Sequence, residues 1–233
     1  MQFKKKINRR NFLKASAAAM AASQILTIPF FSKPSFLYAG TTDVKLVIAK
    51  GGNPEEMLKA AVSNLGGMSR FIKPNQRVLI KANIAWARKP EEACTNNPAL
   101  LEALIKMCYG AGAKKVAVWD HTCDNYQFSF SRSGLKAVCM KQKAEILSGH
   151  GKNVYAPIEI PKGKKLKNAE IIKDILDAEV LINFPIPKQH FATELTLGMK
   201  NMMGVFWDME VMHKIDLHQC IADINTIRKP DLV

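Results

Sequence analysis

The sequence predicts an α/β fold: a mostly parallel sheet with helices on both faces, layered like a Rossmann domain but without its dinucleotide fingerprint. Three observations lead there. Short apolar runs alternate with amphipathic segments along the chain. The runs are apolar throughout, as strands covered on both faces must be, instead of alternating apolar and polar residues. Asn-Pro pairs and Gly clusters punctuate the segments between them where helices begin and end.

Taken in order, Val44 to Ala49 reads as a first strand. Asn53-Pro54-Glu55-Glu56 then opens a helix, with Asn as N-cap, Pro at the first position and acids facing the helix dipole. Met57, Leu58, Ala61, Val62 and Leu65 recur at helical spacing, and Gly66-Gly67 ends the run. Arg77 to Ala82 is a second strand. Asn97-Pro98 starts a helix that carries Leu101, Leu104, Ile105 and Cys108 on one face and stops at Gly110. Lys115 to Trp119 is a third strand. The remaining expectations are a helix near 133–142, a strand near 154–160, a helix near 169–176, a strand at 180–184, and helices near 197–203 and 217–227. Pro230-Asp231-Leu232-Val233 looks like the opening of another strand, which predicts a domain (residues 40–233) incomplete at its C-terminus. No internal repeat, low-complexity tract or inter-domain linker interrupts it.

The N-terminal 39 residues are of another kind. Lys4, Lys5, Lys6, Arg9 and Arg10 precede a mildly apolar stretch from Ala15 to Ile28, broken by Pro29. That is the layout of an export signal, and Arg9-Arg10-Asn11-Phe12-Leu13-Lys14 resembles the twin-arginine type, which carries folded proteins across the membrane. The stretch is rich in Ala and Met and interrupted by Ser16, Ser23, Gln24 and Thr27, so it falls short of the ~20 strongly apolar residues of a spanning helix. Cleavage after Ala39 gives a free extracytoplasmic protein; retention of the segment gives a membrane-tethered one, and this would be its sole membrane contact. The Tat export machinery is the expected partner.

The signal also reinterprets the charge. The whole chain carries 34 basic and 20 acidic residues, a net +14. Residues 1–39 contribute seven bases and no acid, which leaves 27 against 20. Lys162, Lys164, Lys165 and Lys167 form one local run, read as a solvated face. No zinc-finger, RNP or aromatic-basic pattern accompanies it, so nucleic acid is not an expected partner. The five cysteines (Cys94, Cys108, Cys123, Cys139, Cys220) contain no C-x-x-C, so ferredoxin and zinc-ribbon spacings are absent. In an oxidising compartment one or two disulfides are open to them, with the pairing undetermined.

Open parallel sheets bind ligands where the strand-to-helix loops meet at the carboxyl edge. Polar residues collect there: Lys81 and Asn83 after the second strand, Asp120, His121, Cys123 and Asp124 after the third, and Asn183, Lys188 and His190 after the strand at 180. Lys200 and Asn201 lie among Met and Gly, where an ordinary amphipathic helix has no use for them. Lys81, Asn83, Asp120, Lys200 and Asn201 are the candidate ligand-binding residues, with Lys188 and His190 as candidate catalytic groups. Asp120-His121-x-Cys123-Asp124 brings three metal-ligand types within five residues. His213 and His218 are further metal candidates, although five apart they do not stack on one helix face. No G-x-G-x-x-G follows the first strand, and neither a P-loop nor a nucleophile elbow is present.

Four short motifs in a fixed order give a resemblance. They are Lys81-Ala82-Asn83, Thr95-Asn96-Asn97-Pro98, Pro187-Lys188-Gln189-His190 and Lys200-Asn201-Met202-Met203-Gly204, followed by His213-x-x-Asp216-Leu217-His218. Together they are similar to the domain-of-unknown-function 362 (DUF362) family, in its branch with twin-arginine signals. The resemblance implies an α/β protein of a largely uncharacterised family, some of whose members carry or neighbour four-iron ferredoxin modules and run on past the equivalent of Val233. A metal or iron-sulfur cofactor is therefore left open.

Two functions follow as expectations. One is an exported enzyme acting on an anionic or metal-chelated small molecule. In it Lys81, Lys188 and Lys200 neutralise charge, Asn83 and Asn201 orient the ligand, and His190 serves as acid or base. The other is a non-catalytic accessory or binding protein of an exported redox or iron-sulfur system.

Overall fold

The computed structural model describes residues 46–233 and the backbone of Ser35–Ala39. The twin arginines Arg9 and Arg10 and the rest of the signal's basic head lie outside the described residues. Ser35–Ala39 (β1) and Leu46–Lys50 (β2) pair antiparallel, Ser35 opposite Lys50. The expected first strand therefore exists but belongs to a separate ribbon. Its residues alternate between exposed and half-buried, which is not the pattern of a central strand.

Pro54–Asn64 (α1) follows, with the Asn53 side chain accepting from the Glu56 N–H at 2.9 Å. Then come Arg77–Lys81 (β3), Pro98–Gly110 (α2), capped by Asn97, and Lys115–Asp120 (β4). Tyr126–Arg132 (α3) and Leu135–Lys141 (α4) are two helices where one was expected. Gly134 separates them at φ 77°, a left-handed conformation that a helix cannot continue through. Glu145–Ser148 (β5) was not expected; it is a short, half-buried edge strand with little apolar pattern.

Tyr155–Glu159 (β6) pairs antiparallel with Asn168–Ile172 (β7), and only then comes Lys173–Asp177 (α5). The helix expected at 169–176 is thus a strand over its first half. Ile171 and Ile172 are β-branched and pair with Ala156 and Tyr155, and this tertiary pairing overrides local helix spacing. Val180–Asn183 (β8), Lys188–His190 (β9), Glu194–Thr196 (β10), Gly198–Asn201 (α6), a 3-10 turn at Met202–Val205, Glu210–Ile215 (α7) and Leu217–Ile224 (α8) complete the order.

The central sheet runs β5-β4-β3-β8, all parallel, with Lys81 level with Trp119 on one side and Asn183 on the other. Leu232 bridges Ile182 in parallel on the free side of β8, and the Asp231 carboxylate accepts from the Leu181 N–H at 2.8 Å. Residues 231 and 232 thus lie along β8.

Period-2 alternation sorts the sheet residues into two cores. Val78, Ile80, Val116, Val118, Val180 and Ile182 face one core, packed by Leu101, Leu104, Ile105, Phe130 and Leu135 of α2–α4. Leu79, Ala117, Trp119 and Leu181 face the other, under Ile171, Ile175, Phe206, Met212 and Ile221. Each fully buried aliphatic contributes about 1.5–3 kcal/mol. Helices therefore cover both faces, the second with the β6–β7 ribbon beside them. Among the described residues no helix is long and apolar enough to cross a membrane.

Candidate functional site

The carboxyl ends of β3, β4 and β8 converge on a network built around Lys81. Its ammonium is 1% exposed although it ends an apolar strand. The β3 pleat sends it to the Trp119 face, where Nζ lies 5.6 Å from the indole centroid. Nζ donates to the Asp120 carboxylate at 2.7 Å, to the Ala82 carbonyl at 2.6 Å and to Asn201 Oδ1 at 3.3 Å. The two buried groups are thereby paired and hydrogen-bonded, which offsets the cost of taking them out of water. The other carboxylate oxygen of Asp120 accepts from the Ile84 N–H, which fixes the loop after β3.

Asn201 is the second hub. Its Nδ2 donates to Asn183 Oδ1 at 2.7 Å, and its Oδ1 accepts from Asn83 Nδ2 at 2.8 Å. Lys188 then donates to Asn83 Oδ1 at 2.8 Å and to the Cys94 carbonyl at 2.6 Å. Asn96, buried in the loop before α2, accepts from the Asn83 N–H and donates to the Pro185 carbonyl at 3.3 Å. These bonds tie the β3–α2 connection, the β8–β9 segment and α6 into one frame. Gly204 closes it: a Cβ there would sit 3.2 Å from Asp120 Oδ1 and 3.2 Å from Lys81 Cε, so any side chain would press on the buried pair.

Above the frame lies a cavity of about 120 Å³. Lys81, Asn83, Asp120, Lys188, His190, Lys200 and Asn201 all line it, together with His121, Cys123 and Met203. The residues singled out as candidate ligand-binding and catalytic groups are thus neighbours in space. Asp124 instead accepts from the Ala87 N–H at 2.9 Å and shapes a loop. His213 lies beside His190, ring centroids 6.4 Å apart, whereas His218 lines a different cavity near Asn225 and Lys229. Among the described residues no three His, Cys, Asp or Glu side chains gather closely enough to hold a metal ion.

The cysteines are dispersed as well. Cys108 and Cys139 are buried in the core of one sheet face and Cys220 in the other, and all five thiols are unpaired. Burial pushes the Cys108 and Cys139 thiols up to about 12. This set does not fit an iron-sulfur cluster, which needs thiolates converging on one point. Burial and the nearby Asp120 also raise the Cys123 thiol, the opposite of an activated nucleophile.

The electrostatics of the cavity are one-sided. Burial lowers the Lys188 and Lys200 ammonium groups from their usual range. Burial, then Lys200, His213 and Lys188, lowers His190, which holds its imidazole neutral near pH 7. Burial likewise lowers His121, with the neighbouring His150 adding to the effect. Among the described residues lining the cavity Asp120 is the one carboxylate, and Lys81 engages it.

Sequence reasoning missed an aromatic wall behind His121. Trp207 stacks on the His121 ring at 5.9 Å and 18°, and the Tyr155 hydroxyl lies 3.2 Å from its Nδ1. Tyr155 opens a strand on the second sheet face and Trp207 follows the 3-10 turn, so no local spacing links them to residue 121.

An exported α/β protein with a cationic cavity at the carboxyl edge of its sheet is the class that fold and site define. The profile of the family described as Domain of unknown function (DUF362) matches residues 78–233, so the chain belongs to that family. The twin-arginine translocation signal profile matches residues 6–23, which points to Tat export to the periplasm or another extracytoplasmic space. A thylakoid-associated protein of Synechocystis sp. is 26% identical over 160 residues, covering 66% of this chain and 48% of the relative. The chain thus spans about half the length of the curated relative it matches. The lactate racemase apoprotein of Thermoanaerobacterium thermosaccharolyticum aligns with a TM-score of 0.43 and 14% identity, over 74% of this chain and 44% of that one. That likeness is too distant to carry an argument on chemistry.

Proposed function

We propose that the cavity binds a small anion, a carboxylate or a phosphate-sized group, and that the protein is an exported enzyme acting on that anion through Lys188 and His190. One observation carries the reading. The Lys200 ammonium lines the cavity, half-buried, with neither a carboxylate nor a hydrogen-bond partner among the described residues. Lys188 beside it has only neutral acceptors. Two cations without counter-ions, drawn partly out of water, are costly unless a ligand supplies negative charge. The cavity volume of about 120 Å³ is below the ~300–1,000 Å³ of sites for drug-sized molecules. It suits a small anion or the anionic end of a longer one. Asn83 and Asn201, held together by the hydrogen bond from Asn83 Nδ2 to Asn201 Oδ1, would orient the ligand.

Isothermal titration with sulfate, phosphate and a series of two- to four-carbon carboxylates tests this. Binding of at least one anion is expected, weakened by added salt and by Lys188→Met. Failure of every anion to bind at millimolar concentration, or binding indifferent to Lys188→Met, would refute it.

A further inference from the structure

Both histidines of the cavity are held by main-chain partners, and the partners are of opposite kinds. His121 Nδ1 lies 3.4 Å from the Phe206 carbonyl, which can only accept. It also lies 3.2 Å from the Tyr155 hydroxyl, whose own proton goes to the Gly149 carbonyl at 2.9 Å. The hydroxyl oxygen is therefore an acceptor toward His121, and both neighbours require a proton on Nδ1. Nε2 of the same ring has no hydrogen-bond partner among the described residues. His190 is the reverse case. Its Nδ1 accepts from the Ala192 N–H at 3.1 Å, so in the neutral ring the proton sits on Nε2.

We infer that His121 is the cavity's proton acceptor, its lone pair fixed on Nε2, while His190 is a neutral hydrogen-bond donor toward the ligand. Tyr155 and the Phe206 carbonyl position His121, and Trp207 holds the plane of its ring. The inference rests on the reading of the cavity as a ligand site and gives that site a reaction class, proton abstraction from a bound anion. The proton leaves the ligand for His121 Nε2, which becomes an imidazolium. The electron pair stays on the ligand as an oxyanion, facing His190 Nε2–H and the ammonium groups of Lys188 and Lys200. A neutral imidazole that donates a hydrogen bond stabilises such charge without losing its own proton. Burial, with Lys200, His213 and Lys188 adding to it, disfavours a proton on His190, whereas at His121 the Phe206 carbonyl and Asp120 oppose the effect of burial.

Long-range ¹H–¹⁵N correlation spectra of the full chain labelled in its histidines read the tautomers directly. The five histidines are assigned by single His→Asn variants. If one variant fails to fold, the remaining variants assign its signal by elimination. Above pH 7 the His121 signal is expected to show Nε2 unprotonated, and the His190 signal Nδ1 unprotonated. Finding His121 protonated on Nε2, or both rings in one tautomer, would overturn the inference. Tyr155→Phe is expected to move His121 toward a mixture of tautomers and to leave His190 unchanged. An unmoved His121 would remove Tyr155 from its positioning role. These spectra use ligand-free protein, so they stand or fall apart from anion binding, which the titration measures. Where that titration shows phosphate bound, the His121 Nε2 resonance is expected to shift. An Nε2 that stays put with phosphate bound would show that it does not face the ligand.

Discussion

Replacing Lys200 by Met separates binding from folding in a way few substitutions do. The Lys200 side chain makes no ion pair or hydrogen bond with another described residue, so its removal deletes no polar contact of the frame. A hydrogen bond to a charged group contributes about 1.5–3 kcal/mol net, below the roughly 4 kcal/mol upper figure for bare charges 4 Å apart at an effective dielectric of 20. The variant is therefore expected to bind its anion roughly 10- to 150-fold more weakly. Stability is expected to go the other way. The folded state depresses the ammonium's pKa, so it disfavours the charged form, and Met relieves that while keeping the apolar stem. Urea unfolding without ligand should find the variant as stable as the wild type or more so, with titration calorimetry supplying the affinity. Lys188→Met is the control, since loss of its bonds to Asn83 and Cys94 should lower both affinity and stability. A Lys200→Met protein that loses stability yet binds as tightly as before would refute the reasoning.

Three further outcomes follow from the same geometry. Sulfate, fully ionised throughout, should bind more weakly as pH rises from 7 toward 10.5, because Lys188 and Lys200 lose their protons below the ordinary lysine value. Stability of the ligand-free protein should rise over that window, since the unfolded chain holds those protons to higher pH; calorimetry and urea titrations against pH read both. Asp120→Asn strands the buried Lys81 charge and should cost about 3–5 kcal/mol in urea unfolding. Asp223→Asn tests the basic run. Burial alone would raise the Asp223 carboxyl. The Lys165 and Leu166 N–H groups and the Gln219 amide overcome this and hold it at about 2, against an ordinary 3.8. Its contribution of about 2 kcal/mol is present above pH 3.8 and lost as pH falls toward 2. The gap between wild type and variant in acid unfolding should close across that window.

What the sequence made legible, and what it hid, divides by the range of the forces involved. Helix starts at Asn53-Pro54 and Asn97-Pro98 are local chemistry, one side chain satisfying an amide two or three residues on, and both caps are present. The parallel strands β3, β4 and β8 were legible because burial on both faces leaves no polar position in them between the exposed first residues of β3 and β4, Arg77 and Lys115, and their carboxyl ends. For the same reason Lys81, Asp120 and Asn183 stood out there. β6 lies where a strand was expected, but β7 was misread because Ile171 and Ile172 satisfy helix spacing and strand pairing equally, and only the partner strand decides. Tyr155 and Trp207 were invisible for a related reason: their role is defined by a ring 34 residues from one of them and brought close by the sheet. A charge can be noticed in a sequence because burying it needs explanation, whereas the carbonyl or hydroxyl that decides which nitrogen of an imidazole holds the proton carries no compositional mark. That is why a cationic cavity could be suspected from Lys81, Lys188 and Lys200 alone. The assignment of acceptor to His121 and donor to His190 needed the distances to Phe206, Tyr155 and Ala192.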